Sequence, residues 1–180
     1  MQEITALVKD EARRVGFDLV GITQPGPSAH AARYKAWLAN GFHAEMGYLA
    51  RPDAVEKRVN PRSLMPEVRS IVVVGLNYYP GDHPEPKEAQ GRVSRYAWGA
   101  DYHDVILDRL EQLAATVEDH LARKVYHRAY VDFGPLMERE LAQRAGLGWF
   151  GKNTNLIHPD FGSYVFLGEL LLGVPLAADR

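Results

Sequence analysis

The sequence contains no cysteine among its 180 residues. This absence excludes disulfide bonds, zinc sites built from thiolates, catalytic thiols and iron–sulfur clusters held by this chain. The apolar runs are far shorter than the ~20 residues of a membrane-spanning helix. The first residues also lack the basic and apolar segments of a secretory signal. We therefore expect a cytoplasmic protein with no membrane partner.

The charge balance is equally unremarkable, with 21 Lys and Arg against 23 Asp and Glu and a net charge of −2. A protein that binds polyanions through its overall charge would be strongly basic, and this chain is not. The hydrophobic content of 46% over 180 residues is typical of a domain with its own core. We expect one domain over residues 1–180.

Hydrophobic spacing predicts helices and strands that alternate along the chain. The predicted helices cover 3–15, 30–40, 101–121 and 135–145, and the predicted strands cover 17–22, 70–76, 124–131, 153–157 and 164–172. A polar stretch with three prolines over 51–66 is expected on the surface or along a cleft, and 79–91 is expected to form a surface loop or lid. This alternation predicts an α/β or α+β fold.

A glycine-rich segment follows the fourth predicted helix. Its glycines at 146, 148 and 151 match the G-x-G-x-x-G pattern of dinucleotide sites, and Lys152 completes a G-x-x-x-x-G-K pattern. Both patterns lack their context, because the segment leaves a helix and enters a strand, and Asn153 stands where a magnesium-binding hydroxyl is required. A helix C-cap followed by a turn is the favoured interpretation.

Two aspartates stand next to predicted helices. Asp101 occupies an N-cap position, with Asp104 in the first turn, so capping is favoured over a metal or corrinoid site at His103. Asp132 follows a strand and precedes Pro135, where it could satisfy helix N–H groups or act as an acid in a ligand crevice. A helix N-terminus would lower the pKa of this carboxyl, whereas an acid near pH 7 needs a raised pKa. Both interpretations of Asp132 stay open.

Two arginine-containing segments are candidates for ligand binding. Arg58 and Arg62 lie in a charged stretch that is typical of a solvated surface, although guanidinium groups also bind amides and phosphates of large ligands. The segment 92–98 mixes arginines with aromatic residues, as contacts to single-stranded RNA do and as ordinary loops also do. No cluster with metal-ligand spacing is present, and we predict no metal site.

Taken in order, these segments resemble epoxyqueuosine reductase, the cobalamin-dependent enzyme family that completes queuosine in the tRNA anticodon. The resemblance covers essentially the whole chain and is strongest over 140–172, which includes the glycine–lysine–asparagine segment. The matching segments are 41–49 (GFHAEMGYL), 57–64 (KRVNPRSL), 95–103 (RYAWGADYH), 131–135 (VDFGP) and 145–154 (AGLGWFGKNT).

The resemblance implies a nitroreductase-like or cobalamin-processing-like sheet flanked by helices, and a cobalamin cofactor whose reduced cobalt attacks the epoxide-bearing ring. It implies that Asp132 supplies the proton. A corrinoid brings its own nucleophile, so the protein need only orient it, exclude water and place one acid. The cobalamin-binding positions implied are Arg58, Ser94, Asp132, Lys152, Asn153, Thr154, Leu156 and Leu167. The positions implied near the tRNA are Met137, Glu138 and Arg139.

The chain departs from the family pattern in two respects. Phe133 stands where the family usually has Ser or Thr, which could crowd the proton donor or pack beneath it. The family also continues into a cysteine-rich, ferredoxin-like domain with two four-iron clusters, which we expect to be absent here. We expect a truncated or split form that binds cobalamin and needs an iron–sulfur partner in trans. A corrinoid carrier without redox activity and a nitroreductase-like flavoprotein are the alternatives.

Overall fold

The computed structural model describes residues 1–82 and 91–179, so most of the loop expected over 79–91 lies outside the described residues. Within them lie six α-helices and two short 3-10 helices, at Gly47–Ala50 and Arg95–Ala97. The helices are α1 (Gln2–Arg14), α2 (Ala31–Ala39), α3 (Pro52–Val59), α4 (Pro61–Leu64), α5 (Tyr102–Leu121) and α6 (Glu138–Arg144). The strands are β1 (Leu19–Thr23), β2 (Ser70–Asn77), β3 (His127–Tyr130), β4 (Trp149–Phe150), β5 (Leu156–Ile157) and β6 (Val165–Leu172).

Four strands form one sheet in the order β1-β2-β6-β3, and every neighbouring pair is antiparallel. The predicted mixed architecture is confirmed, and the antiparallel pairing places it on the α+β side. The two shortest strands, β4 and β5, form a separate antiparallel ribbon. The rule that ligands bind at the carboxyl ends of parallel strands therefore does not apply to this sheet.

Helices cover both faces of the sheet. Val72 and Val74 of β2 belong to a cluster with α1 and α5, whereas Ile71 and Val73 belong to a second cluster with α6. This alternation is the period of two that strand geometry imposes. It also explains why β2 carries an uninterrupted run of β-branched residues, Ile71–Val74, without polar alternation.

Two boundaries differ from the sequence prediction. The predicted helix at Pro135 begins only at Glu138, because residues 132–137 form a loop in which Asp132 has a left-handed backbone. The predicted strand over 153–157 shrinks to β5, and β4 was not predicted.

The glycine-rich segment connects α6 to the β4–β5 ribbon. Gly146 follows the helix with a φ of 77°, as the C-cap interpretation predicts. A Cβ at Gly148 would lie 2.2 Å from the carbonyl oxygen of Ile157, so the ribbon can close only over a glycine.

The polar stretch 51–66 is largely helical. Pro52 and Pro61 begin α3 and α4, which is the position in a helix where proline fits best. Among residues 1–82 and 91–179, no helix has the length and hydrophobicity to cross a bilayer.

Candidate active site

Asp132 lies at the edge of the sheet, two residues beyond the end of β3. Its φ of 56° is unusual for a residue with a side chain, and such strain is often found at functional sites. Its Oδ2 accepts a hydrogen bond from the hydroxyl of Tyr102, and the Nε2 of His103 lies 3.6 Å from the same oxygen. Asp132 does not cap α6, whose N-cap residue is Met137.

The first turn of α5 brings Tyr102 and His103 to Asp132. Asp101 caps this turn by accepting a hydrogen bond from the backbone N–H of His103 at 2.9 Å, which confirms the predicted cap. Burial and the neighbouring Asp132 carboxyl raise the pKa of Tyr102 well above its usual value. Its hydroxyl therefore stays protonated and remains a hydrogen-bond donor to Asp132.

A stack of rings holds Tyr102 in place. Its ring lies parallel to that of Phe166 with a centroid distance of 4.0 Å, and His103 stacks on Phe133 at 4.5 Å. Phe133 is 81% exposed, so it does not pack beneath Asp132 but projects from the surface over His103. Phe133 does not cover Asp132, and about half of the Asp132 side chain is exposed.

Two glutamates interact electrostatically with Asp132. One of them, Glu138, is the first residue of α6. Burial, followed by the charge of Asp132, raises the pKa of Glu138 to about 8. Glu169 of β6 is fully buried, and burial together with Glu138 and Asp132 raises its pKa well above the usual range.

Neither glutamate is fully satisfied by hydrogen bonds. Both carboxyl oxygens of Glu169 and the Oε1 of Glu138 are buried without a partner. A buried charge without a partner is costly, so both groups favour the protonated form. No group of three or more His, Asp and Glu residues in the described part of the chain is arranged to hold a metal ion.

A cleft of about 720 Å³ lies beside this cluster, a volume within the range of cofactor sites. Glu138 lines it and connects it to Asp132, which is not itself a lining residue. The cleft is bounded by α2, α3, the start of α6 and the β4–β5 ribbon. Its lining includes His30, Arg33, Tyr34, Trp37, Arg58, Met137, Glu138, Arg139, Phe150 and Thr154.

Hydrogen bonds fix the wall of the cleft. Arg58 donates from Nη1 to the hydroxyl of Tyr34 at 3.1 Å, which holds its guanidinium against that ring. Arg139 donates to the carbonyl oxygen of Thr154 and so joins α6 to the glycine-rich segment. Thr154 has a φ of 66° and, like Asp132, a left-handed backbone.

A buried carboxylate anchors the other wall. Glu140 accepts hydrogen bonds from the hydroxyl of Ser28 and from the backbone N–H of Ala29, at 2.8 Å for the latter. It also lies 3.1 Å from the Nδ1 of His30. Burial alone would raise the pKa of Glu140, but these contacts outweigh it and lower the pKa, so Glu140 holds His30 at the cleft as a carboxylate.

The structure brings together five of the residues that the sequence analysis selected. Arg58, Met137, Glu138, Arg139 and Thr154 all line the cleft. The others lie outside this lining. Lys152 and Asn153 are exposed in the glycine-rich segment, Ser94 precedes a 3-10 helix, Leu156 is buried in the core, and Leu167 packs against it from β6.

Tyr102 and Glu169 were not selected from the sequence. A signal for Glu169 was present, because it is the only charged residue in the apolar run of β6. No comparable signal marked Tyr102, whose role depends on how α5 packs beside β3.

Comparisons with known proteins agree on one family. The family model described as "Epoxyqueuosine reductase QueG, DUF1730" matches residues 58–133. The epoxyqueuosine reductase of Synechocystis is 45% identical over 150 residues, which is 83% of this chain and 50% of that protein. The chain therefore spans about half the length of this curated relative.

Solved structures give the same result. The epoxyqueuosine reductase of Streptococcus thermophilus matches 99% of this chain and 48% of its own, with 26% identity and a TM-score of 0.84. An epoxyqueuosine reductase bound to an epoxyqueuosine-modified tRNA-Tyr stem loop matches 98% of this chain and 47% of its own, with 30% identity and a TM-score of 0.79.

A reductive dehalogenase described as B12-dependent shares the fold at 21% identity, with a TM-score of 0.57 over 96% of this chain and 20% of its own. This weaker match extends the fold beyond one enzyme family. The sequence and structural matches together show that the chain belongs to the epoxyqueuosine reductase family.

Proposed function

We propose that this chain is the cobalamin- and substrate-binding part of an epoxyqueuosine reductase and that it acts on epoxyqueuosine in the tRNA anticodon. The observation that carries the proposal is Asp132, strained and hydrogen-bonded to Tyr102, beside a cleft of cofactor size. The tRNA stem loop bound by a related reductase supports the substrate. We also propose a cytoplasmic location, where tRNA is modified.

The residues of the cleft fit a corrinoid in their chemistry. Aromatic rings and methylene stems can cover a flat macrocycle, and guanidinium groups can bind its amide and phosphate groups. The Oε1 of Glu138 is a buried polar atom without a partner that a bound amide could satisfy. When bound, cobalamin would supply the reduced metal nucleophile that opens the epoxide.

The proposed roles divide the site into two parts. Arg58 and Thr154 would contact the cofactor from the cleft wall, and Ser94, Lys152, Asn153, Leu156 and Leu167 would complete its surroundings as the family resemblance implies. Leu156 is buried and could contribute only through its backbone or by packing. Met137, Glu138 and Arg139 would lie toward the tRNA, where the positive charge of Arg139 favours phosphate binding.

Asp132 would donate a proton to the substrate oxygen. Tyr102 orients its carboxyl by donating a hydrogen bond to Oδ2. The charge of Asp132 disfavours ionisation of the neighbouring Glu138, because two carboxylates at close range repel each other. A ligand bound in the neighbouring cleft would exclude water from the path between Glu138 and Asp132. Electrons would come from an iron–sulfur domain or protein, since these 180 residues contain no cysteine.

The test compares Asp132→Asn with Asp119→Asn, a surface control at the far end of α5. Each purified protein is given cob(II)alamin, a low-potential chemical reductant and an epoxyqueuosine-modified stem loop, and the product is measured by mass spectrometry. We expect queuosine from the native protein and the control and a loss of at least ~100-fold for Asp132→Asn. Normal turnover by Asp132→Asn would remove Asp132 from this role.

A further inference from the structure

The proposed reaction needs more protons than one aspartate holds. When an epoxide is reduced to an alkene, both C–O bonds break, a carbon–carbon double bond forms and the oxygen leaves as water. The balance requires two electrons and two protons for each turnover. Asp132 can deliver one proton, so a second must reach the leaving oxygen from a nearby group or from solvent.

Glu138 is placed to hold that proton. Its carboxyl is close enough to Asp132 for the two charges to interact, and it lines the cleft that Asp132 does not line. Its Oε1 is buried without a hydrogen-bond partner, which an ionised carboxylate would tolerate poorly. The group therefore sits between the cleft and the acid, in a setting that favours its neutral form.

Glu169 adds a second buried carboxyl that interacts with Glu138. On β6 it pairs with Val73 of β2 and Tyr130 of β3, both of which contribute to the core on the side of α6. Because side chains alternate along a strand, Glu169 points to that same side. Its oxygens are fully buried without a hydrogen-bond partner, so burial keeps Glu169 neutral and it brings no positive charge that would favour ionisation of Glu138.

The other groups near Glu138 have opposing effects on its pKa. The carboxyl of Asp132 disfavours ionisation of Glu138, whereas the guanidinium of Arg139 favours it but also donates to the carbonyl of Thr154. From α5, Tyr102 directs its hydroxyl to Asp132 rather than to Glu138. Burial and Asp132 together outweigh Arg139, and the pKa of Glu138 rises to about 8.

We propose that Glu138 is a positioning residue that stores the second proton of the reaction and passes it to Asp132 after Asp132 has donated the first. This inference rests on the proposed function. The two electrons come from the reduced corrinoid and its external donor, and the two protons come from Asp132 and Glu138. Glu138 is then reprotonated from solvent after the product leaves.

The first test measures protonation without any turnover. The side-chain carboxyls of glutamate are labelled with ¹³C and titrated by NMR, and Glu138→Gln and Glu169→Gln assign their signals. We expect the Glu138 signal to titrate near pH 8 and its midpoint to fall in Asp132→Asn, which removes a neighbouring negative charge. A Glu138 midpoint near the ordinary glutamate value of 4.5 would overturn the inference.

The second test measures turnover against pH with cob(II)alamin, reductant and modified stem loop. We expect Glu138→Gln to lower the rate at pH 7 by at least ~10-fold and to remove the alkaline limb of the profile. Glu138→Asp should restore part of the rate, and Glu3→Gln should match the native protein.

The outcomes separate the two proposals. If Asp132→Asn is inactive while Glu138→Gln keeps the native rate and profile, the proton-storage role is wrong and the proposed function stands. If the native protein does not bind cobalamin, or Asp132→Asn is fully active, the proposed function itself is wrong.

Discussion

Replacing Glu138 with glutamine should change how the stability of this protein depends on pH. Glutamine has nearly the same shape and cannot ionise, so the variant removes one titration and little packing. In the native fold the pKa of Glu138 is raised from the ordinary 4.5 to about 8, mainly by burial. Below pH 4.5 the group is protonated in both the folded and the unfolded state, and it has no effect on the pH dependence.

Between pH 4.5 and 8 the two states differ. The unfolded chain releases the proton while the folded chain keeps it, so the free energy of unfolding falls as the pH rises. Each pH unit corresponds to at most ~1.4 kcal/mol. Because Glu138 is only partly buried and lies at a cleft, we reduce the expected penalty at pH 7 to about 2 to 3 kcal/mol. Above pH 8 the difference becomes constant.

The assay is urea unfolding at pH 5, 6, 7 and 8, followed by tryptophan fluorescence. We expect the free energy of unfolding of Glu138→Gln, minus that of the native protein, to increase steadily over this range. Glu3→Gln, on the exposed side of α1, is the matched control for the loss of one carboxyl. A difference that stays constant with pH for Glu138→Gln would refute the raised pKa of Glu138.

Three further predictions concern the scaffold. Gly21→Ala should destabilise the fold by ~1–3 kcal/mol or more in urea unfolding, because the new Cβ would lie 2.2 Å from the carbonyl oxygen of Ala145. Asp101→Ala should cost ~1 kcal/mol by removing the cap of α5, and Asp101→Asn should restore most of it. Burial alone would lower the pKa of His127, but its contacts with Glu111 and a backbone carbonyl raise it overall. Glu111→Gln should therefore lower the His127 pKa measured by NMR. In the native protein the pair stabilises the fold at low pH, and this stabilisation is lost as the pH rises through the His127 pKa; the variant should lack it.

Local sequence patterns predicted the elements with strong periodicity. The long helix α5 and the central strand β2 lie close to their predicted bounds, because apolar spacing there matches burial on one or both faces. The start of α6 was missed because Pro135 fits a first helical turn equally well. The loop is instead set by the left-handed backbone of Asp132 and by contacts that a local pattern does not contain.

The site was predictable only in part. Family resemblance selected Asp132 and five of the residues that line the cleft, but the contact between Asp132 and Tyr102 joins positions 30 residues apart. The proximity of Glu138 to Glu169 depends in the same way on how α6 packs against β6. Such long-range pairs arise from tertiary packing. In contrast, the single charge of Glu169 in the apolar run of β6 was visible in the sequence and could have marked it as a candidate site residue.

The most direct test of the central claim is a titration of the purified 180-residue protein with cob(II)alamin, followed by absorption spectroscopy, with a parallel titration with flavin mononucleotide. The account predicts saturable, equimolar binding of cobalamin and no binding of flavin. It also predicts at least ~10-fold weaker binding by Arg58→Ala than by the surface control Arg13→Ala, because Arg58 lines the cleft and Arg13 does not. Binding of flavin without cobalamin, or no binding of cobalamin at all, would contradict the account.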